Sequence, residues 1–81
     1  MMHAVIRHGD DALHLIGPVD AYTIEALRDY ASTFDRGGGL RRLEIEVTAD
    51  DEQKLARRVG GWLLRLTRHG VTVEVREHPP V

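Results

Sequence analysis

The longest run of helical periodicity in the chain extends from Asp50 to Gly70. Its apolar residues recur at intervals of three and four, which places them along one face of an amphipathic helix. Asp50 and Gln53 have the spacing of a capping box at the start of this helix, and Gly70 suits its end. We expect this helix to offer the rest of the chain its largest apolar face. The residues of that face are Leu55, Val59, Trp62, Leu63 and Leu66.

Four shorter segments have the pattern of β-strands. Residues 3–8 and 12–16 are separated by a short turn of glycine and aspartate, which favours an antiparallel hairpin. Residues 40–48 alternate between apolar and charged side chains, which predicts a strand with one polar face. Residues 71–75 alternate in the same way and predict the last strand. We interpret residues 76–81, which include two prolines, as a flexible tail.

A second amphipathic helix is predicted from Ala21 to Asp35. Asp20 precedes it and is suited to cap its N-terminus. Three consecutive glycines, residues 37–39, end it. These glycines lack the Gly-Lys-Ser/Thr ending of a phosphate-binding loop and are followed by a strand, so we interpret them as a plain connection. The apolar face of this helix contains Ile24, Leu27, Ala31 and Phe34.

The predicted order of elements is β-β-α-β-α-β. Each helix connects two strands by a crossover long enough for parallel pairing, so the last three strands should be parallel and the first antiparallel to the second. The outer face of the third strand carries Arg42, Glu44 and Glu46, which indicates that one side of the sheet is open to solvent. We therefore predict an α/β fold, a two-layer sandwich of a four-stranded mixed sheet with two helices on one face.

Length, composition and charge narrow the class of protein. The 81 residues suffice for one small domain, which we take to be residues 1–81. The absence of cysteine excludes disulfides, thiolate metal sites and cysteine catalysis. The net charge of −2, with acids and bases interspersed, gives no drive toward nucleic acid. No apolar run suits membrane insertion and the polar N-terminus does not resemble a signal peptide, so we expect a cytoplasmic protein.

Residues 15–28 (LIGPVDAYTIEALR) resemble the start of a STAS domain, the fold of the anti-sigma-factor antagonists. In that family a strand, a glycine, a short apolar turn and an aspartate precede a helix with early Thr and Leu, a pattern matched here between Gly17 and Leu27. The resemblance extends with less specific motifs over about residues 4–76. It implies a minimal member of the family, acting as a protein-interaction module in a bacterial regulatory system.

The chain departs from that family at the start of the long helix. STAS regulators that act as switches carry Asp-Ser-Ser/Thr-Gly-Leu there, and phosphorylation of the hydroxyl changes partner binding. The corresponding residues 51–55 are DEQKL and contain no hydroxyl. Two interpretations are open: the acids are ordinary residues of a first helical turn, or Glu52 supplies a permanent negative charge. In either case this departure from the family pattern argues against a phosphoswitch.

No enzymatic or metal site is predicted. None of the five histidines has the helical His-x-x-x-His spacing of a metal site, and the only serine, Ser32, lies on the outer side of its helix. We therefore expect no catalytic residue, no metal and no cofactor. Nucleic-acid binding is not expected either, because no aromatic residues interleave with the arginines.

The function predicted is thus a non-enzymatic protein-interaction module with a protein partner. The basic residues of the long helix are interpreted either as an ordinary solvated face or as a docking surface for an acidic partner. The alternative function is a self-associating structural subunit, a homodimer or larger homo-oligomer formed through the open sheet face or an edge strand. The predicted partner-binding residues are Asp50, Asp51, Glu52, Lys54 and Arg58.

Gly60 and Gly61 lie in the middle of the predicted long helix. Each costs on the order of 1 kcal/mol relative to alanine at such a position. Either the pair permits close approach of the first helix, the sheet or a second chain, or the helix kinks or breaks there. Of these two, we favour close packing.

Overall fold

The structure, a computed structural model, describes residues 4–37 and 39–77, without the side chains of residues 35–37. The order of elements is β-β-α-β-α-β, as predicted. The elements are β1 (Val5–His8), β2 (Ala12–Ile16), α1 (Ala21–Gly37), β3 (Arg42–Val47), α2 (Ala49–Arg68) and β4 (Thr72–Glu77).

The strands form one mixed sheet in the order β1-β2-β3-β4, so each strand lies beside its neighbour in sequence. Strand β1 is antiparallel to β2, while β2, β3 and β4 are parallel, which confirms the prediction. The parallel register aligns Leu13, Leu43 and Val73 in one row across the sheet. The next row contains His14, Glu44 and Glu74 and faces the opposite side, because successive side chains in a strand alternate between faces.

Both helices cover the same face of the sheet. On that face Leu15, Leu43 and Ile45 are fully buried, each with 0% of its surface exposed. Leu27 of α1 and Leu55 of α2 belong to the same cluster of buried side chains. Burial of apolar side chains of this size contributes about 1.5–3 kcal/mol each, so this single core is the main source of stability. The two-layer arrangement with one face of the sheet left open is therefore confirmed.

The start of α2 differs from the prediction. The N-cap is Thr48, whose hydroxyl oxygen accepts a hydrogen bond from the backbone N–H of Asp51 at 3.3 Å. The helix begins at Ala49, so the capping box predicted for Asp50 and Gln53 is wrong. Because β3 ends at Val47, the turn into the helix comes too early for Asp50 to be the cap.

The end of the last strand also differs. Arg76 and Glu77 continue β4 and pair with Glu46 and Val47, so the flexible tail predicted for residues 76–81 does not begin at residue 76. These two residues precede the first proline, Pro79, so both have a backbone N–H group for the ladder and pairing with β3 can continue. Residues 78–81 lie outside the described part of the chain.

Helix α2 continues without a break through its two glycines. A Cβ atom added at Gly60 or at Gly61 would meet no atom within 4 Å. The predicted close packing of these glycines against α1 or the sheet is therefore wrong, and so is the break considered as its alternative. Approach of a second chain to this part of α2 stays a prediction.

Candidate protein-interaction surface

Residues 15–28, which resemble the start of a STAS domain, form the end of β2, the β2–α1 connection and the first half of α1. Asp20 is the N-cap, as predicted: its Oδ1 accepts hydrogen bonds from the backbone N–H of Thr23 at 2.8 Å and from the Thr23 hydroxyl at 3.0 Å. These hydrogen bonds lower the pKa of the Asp20 carboxyl from its ordinary value, and the bond from the Thr23 backbone N–H has the largest effect. Tyr22 lies beside this cap with 84% of its surface exposed. The pattern of residues 17–27 is thus a helix-capping motif with an exposed aromatic residue next to it.

The first turn of α2 lies against that motif. Asp51 is half-buried, and its Oδ2 accepts a hydrogen bond from the backbone N–H of Val19 at 3.4 Å. Its Oδ1 lies 3.7 Å from Nζ of Lys54. Asp50 and Glu52 are exposed. Of the three acids predicted to bind a partner, one therefore fastens the β2–α1 connection to α2, and two face solvent.

A small cavity lies where these two loops meet, at the carboxyl ends of β2 and β3. Its volume is about 140 Å³, well below the roughly 300–1,000 Å³ typical of small-molecule sites. It has room for water but not for a metabolite. Gly17, Pro18, Thr48 and Asp51 line it together with three strand-end residues, Ile16, Glu46 and Val47.

A much larger groove separates α1 from α2. Its volume is about 1010 Å³, and its apolar lining includes Ile24 and Ala31 of α1 and Trp62 and Leu66 of α2. Helix α1 packs mainly against β2, whereas α2 packs against β3 and β4, which leaves a gap between the facing flanks of the two helices. We name this feature the inter-helix groove.

Three arginines, two acids and one histidine line the inter-helix groove. Arg58, Arg65 and His69 line it from α2, and Arg28 lines it from α1. The guanidinium carbon of Arg28 lies 6.0 Å from the ring centroid of Trp62, at the outer limit of a cation–π contact. Two acids of α1, Glu25 and Asp29, also reach the groove.

The predicted partner-binding residues occupy two connected places. Asp50, Asp51, Glu52 and Lys54 surround the first turn of α2, whereas Arg58 lies in the inter-helix groove. Arg58 follows Asp51 by seven residues, which is two helical turns, so both lie on the same side of α2. The sequence pattern does not predict that Arg28 lines the inter-helix groove, because the groove is seen only once the gap between α1 and α2 is known.

The open face of the sheet is polar, and several of its titratable side chains lie close together in pairs. Nε2 of His14 lies 3.6 Å from Oε2 of Glu46. On the neighbouring strands, Arg42 lies 3.6 Å from Glu44, and Arg76 lies 3.0 Å from Glu74. The Arg42–Glu44 and Arg76–Glu74 pairs each bring no net charge, so these parts of the open face attract a charged partner less than the inter-helix groove does.

The described histidines each have a structural neighbour. The ring of His8 stacks on Phe34 with centroids 4.5 Å apart, His14 lies beside Glu46, and Nδ1 of His69 is 2.8 Å from the carbonyl oxygen of Arg65. His3 and His78 lie outside the described residues. Among the side chains that the structure describes, residues 4–34 and 39–77, no three His, Asp or Glu are grouped so that they could hold a metal ion.

Comparison with protein-family models, with curated proteins and with solved structures finds no match for this chain. In the part of the chain that the structure describes, neither helix combines the length and apolar character needed to cross a membrane.

Proposed function

We propose that this chain is a non-enzymatic protein-interaction module of a bacterial cytoplasmic regulatory system, a minimal STAS-like domain without a phosphoswitch. The resemblance of residues 15–28 supports the family. Within this segment, Asp20 caps the N-terminus of α1. The family proposal also agrees with the order of elements.

The inter-helix groove is the observation that carries the proposed activity. Its floor offers apolar side chains, among them Trp62 and Leu66, while Arg58 and Arg65 bring positive charge to its α2 side. Binding of an amphipathic segment in a groove between packed elements is a common mode of peptide recognition. The partner that fits this groove is a protein segment with apolar anchors and acidic side chains.

The first turn of α2 extends this surface beyond the groove. Asp50 and Glu52 are exposed at the positive end of the helix dipole, where their negative charge is stabilised without any modification. The hydroxyl of Thr48 is used as the N-cap of α2. We therefore propose that partner binding at this turn depends on permanent charges, and that no kinase is needed to control it.

The test compares two arginines of α2 with different surroundings. Arg58 lines the inter-helix groove, whereas Arg57 is exposed and is not part of the groove lining. The natural partner is first captured from a lysate of the source organism with the wild-type chain, identified by mass spectrometry and purified. Its affinity is then measured by calorimetry for the wild type, Arg58→Glu and Arg57→Glu.

We expect Arg58→Glu to weaken binding by roughly tenfold or more, because the reversal puts like charges together in the groove. Arg57→Glu should bind as the wild type does. Thermal unfolding of both variants controls for damage to the fold. Equal affinities for the two variants would remove the groove as the docking site, and the lack of any specific partner would contradict the module itself.

A further inference from the structure

The outer edge of β4 presents unpaired backbone groups. In the described part of the chain, β4 is the last strand of the sheet and no strand lies beyond it. The backbone N–H of Thr72 donates to the carbonyl oxygen of Arg41 at 2.8 Å, so the backbone groups of Thr72 point toward β3. Because these directions alternate along a strand, Val73, Val75 and Glu77 direct their N–H and C=O groups outward. Such an edge is a template for a further strand.

The two edges of the sheet differ in how well they resist such pairing. Strand β1, at the other edge, has four residues, and short edge strands are one way in which proteins avoid edge-to-edge pairing. Strand β4 has six residues and contains neither proline nor lysine, the residues that commonly block an edge. Pairing with another chain is therefore favoured at β4.

The surface next to this edge is apolar on the side of the helices. Val75 is 37% exposed, and Val73 and Leu63 are only partly buried. Helix α2 packs against β3 and β4. Gly60 lies one turn before Leu63 on the same flank of α2, and a Cβ atom added there would meet nothing within 4 Å. The edge of β4 and this flank of α2 together form an uncovered apolar strip.

Glu74 and Arg76 lie next to each other on the open face of β4, 3.0 Å apart, and their order along the strand favours one register of pairing between two copies. If β4 pairs antiparallel with β4 of a second copy around a two-fold axis at Val75, Glu74 lies opposite Arg76 of the second copy, and Arg76 lies opposite its Glu74. An axis at Glu74 would instead place two carboxylates opposite each other, and an axis at Arg76 would do so with two guanidinium groups. Only the axis at Val75 pairs both charges, and it also places outward-facing backbone groups of Val75 against each other.

We propose that this chain forms a homodimer through antiparallel pairing of its β4 strands, with the two-fold axis at Val75. The interface is isologous, so every contact occurs twice. The two sheets join into one sheet, and the α2 flanks beside β4 face each other across the axis. The inter-helix groove lies on the other flank of α2 and stays open, so this proposal does not depend on the proposed function.

The test uses charge reversals at the two paired positions. Sedimentation velocity over a wide concentration range measures self-association of the wild type, Glu74→Arg, Arg76→Glu and the double variant with both changes. Each single reversal places like charges opposite each other twice and should weaken self-association by about tenfold or more. The double variant restores both pairs in exchanged positions and should associate as the wild type does.

A mixture of the two single variants gives a further check, because one chain then supplies two positive charges and the other two negative charges. We expect the mixture to dimerise while each variant alone does not. Arg7→Glu in β1, a reversal at the opposite edge of the same open face, should leave association unchanged. Hydrogen exchange should show protection of the Val75 amide in the wild-type dimer and its loss in the single variants.

Three results would overturn the proposal. They are a wild type that stays monomeric at all concentrations, a dimer that tolerates Glu74→Arg, and a double variant that does not associate. Failure of this dimer would leave the Arg58 binding test unaffected, and the reverse also holds.

Discussion

The two halves of α2 differ in a way that their composition does not suggest. In the first half, Leu55 and Val59 are buried and Asp51 is hydrogen-bonded to the β2–α1 connection. The second half, after the two glycines, is richer in large apolar residues, yet none of them is fully buried. These residues are Trp62, Leu63, Leu64 and Leu66.

This difference shows that burial is decided by the elements that cover a helix. In the first half, Leu55 and Val59 belong to the same buried cluster as Ile45 and Val47 of β3. The second half has the inter-helix groove on one flank and the uncovered edge of β4 on the other. The first half of α2 therefore holds the fold together, and the second half offers surface to other molecules.

The largest difference between the two halves of α2 is expected when a leucine is shortened to alanine in each. Leu55 is 1% exposed and Leu64 is 53% exposed. We expect Leu55→Ala to lower the free energy of unfolding by about 2–5 kcal/mol, because it removes buried contacts and leaves a cavity. Leu64→Ala should change it by about 0.5 kcal/mol or less. Urea unfolding at low protein concentration measures both, and equal losses would contradict the division of α2.

A smaller change in the free energy of unfolding is expected when the threonine at each end of α2 is replaced by alanine. Thr48→Ala removes the N-cap of α2 and should cost about 0.5–2 kcal/mol. Thr67→Ala removes only an exposed hydroxyl bonded to the carbonyl oxygen of Leu63, so its cost should be close to zero. The same unfolding experiment compares them. If Thr67→Ala lowered the free energy of unfolding more than Thr48→Ala does, the N-cap would not be the stabilising feature proposed here.

The smallest expected effect is a gain at the boundary of the two halves. Because nothing lies within 4 Å of a Cβ atom at Gly60 or Gly61, alanine should fit either position and stabilise the helix by about 0.5–1 kcal/mol. Each single variant is measured by thermal unfolding in dilute solution. A loss of stability at Gly60 alone would instead indicate that another molecule or another part of this chain contacts that flank.

Much of the fold could be predicted from the sequence because its signals are local. The alternation in residues 40–48 and the helical spacing around Leu55 each identify an element without knowledge of the rest of the chain. The sequence does not distinguish the N-cap of α2, because Thr48 and Asp50 are both good capping residues. The end of β3 decides between them, and strand ends depend on pairing with neighbours.

The candidate site was less predictable because it depends on the distance between two helices. Arg58 was identified from the charged side of α2 alone. The role of Arg28 required knowing that α1 and α2 leave a gap and that Trp62 lies in it. The half-burial of Trp62 has the same origin, since helical periodicity predicts which face a residue occupies but not whether anything covers that face.

The order of strands in the sheet also has a consequence for how the chain folds. Since every strand pairs with the strand adjacent in sequence, no strand has to enter between two that have already paired. The contacts are therefore comparatively local, and we expect rapid folding for a protein with parallel strands. Pairing can proceed from the β1–β2 hairpin toward β4, each step adding one strand to an exposed edge. Dimerisation through β4 would repeat that elementary step between two chains.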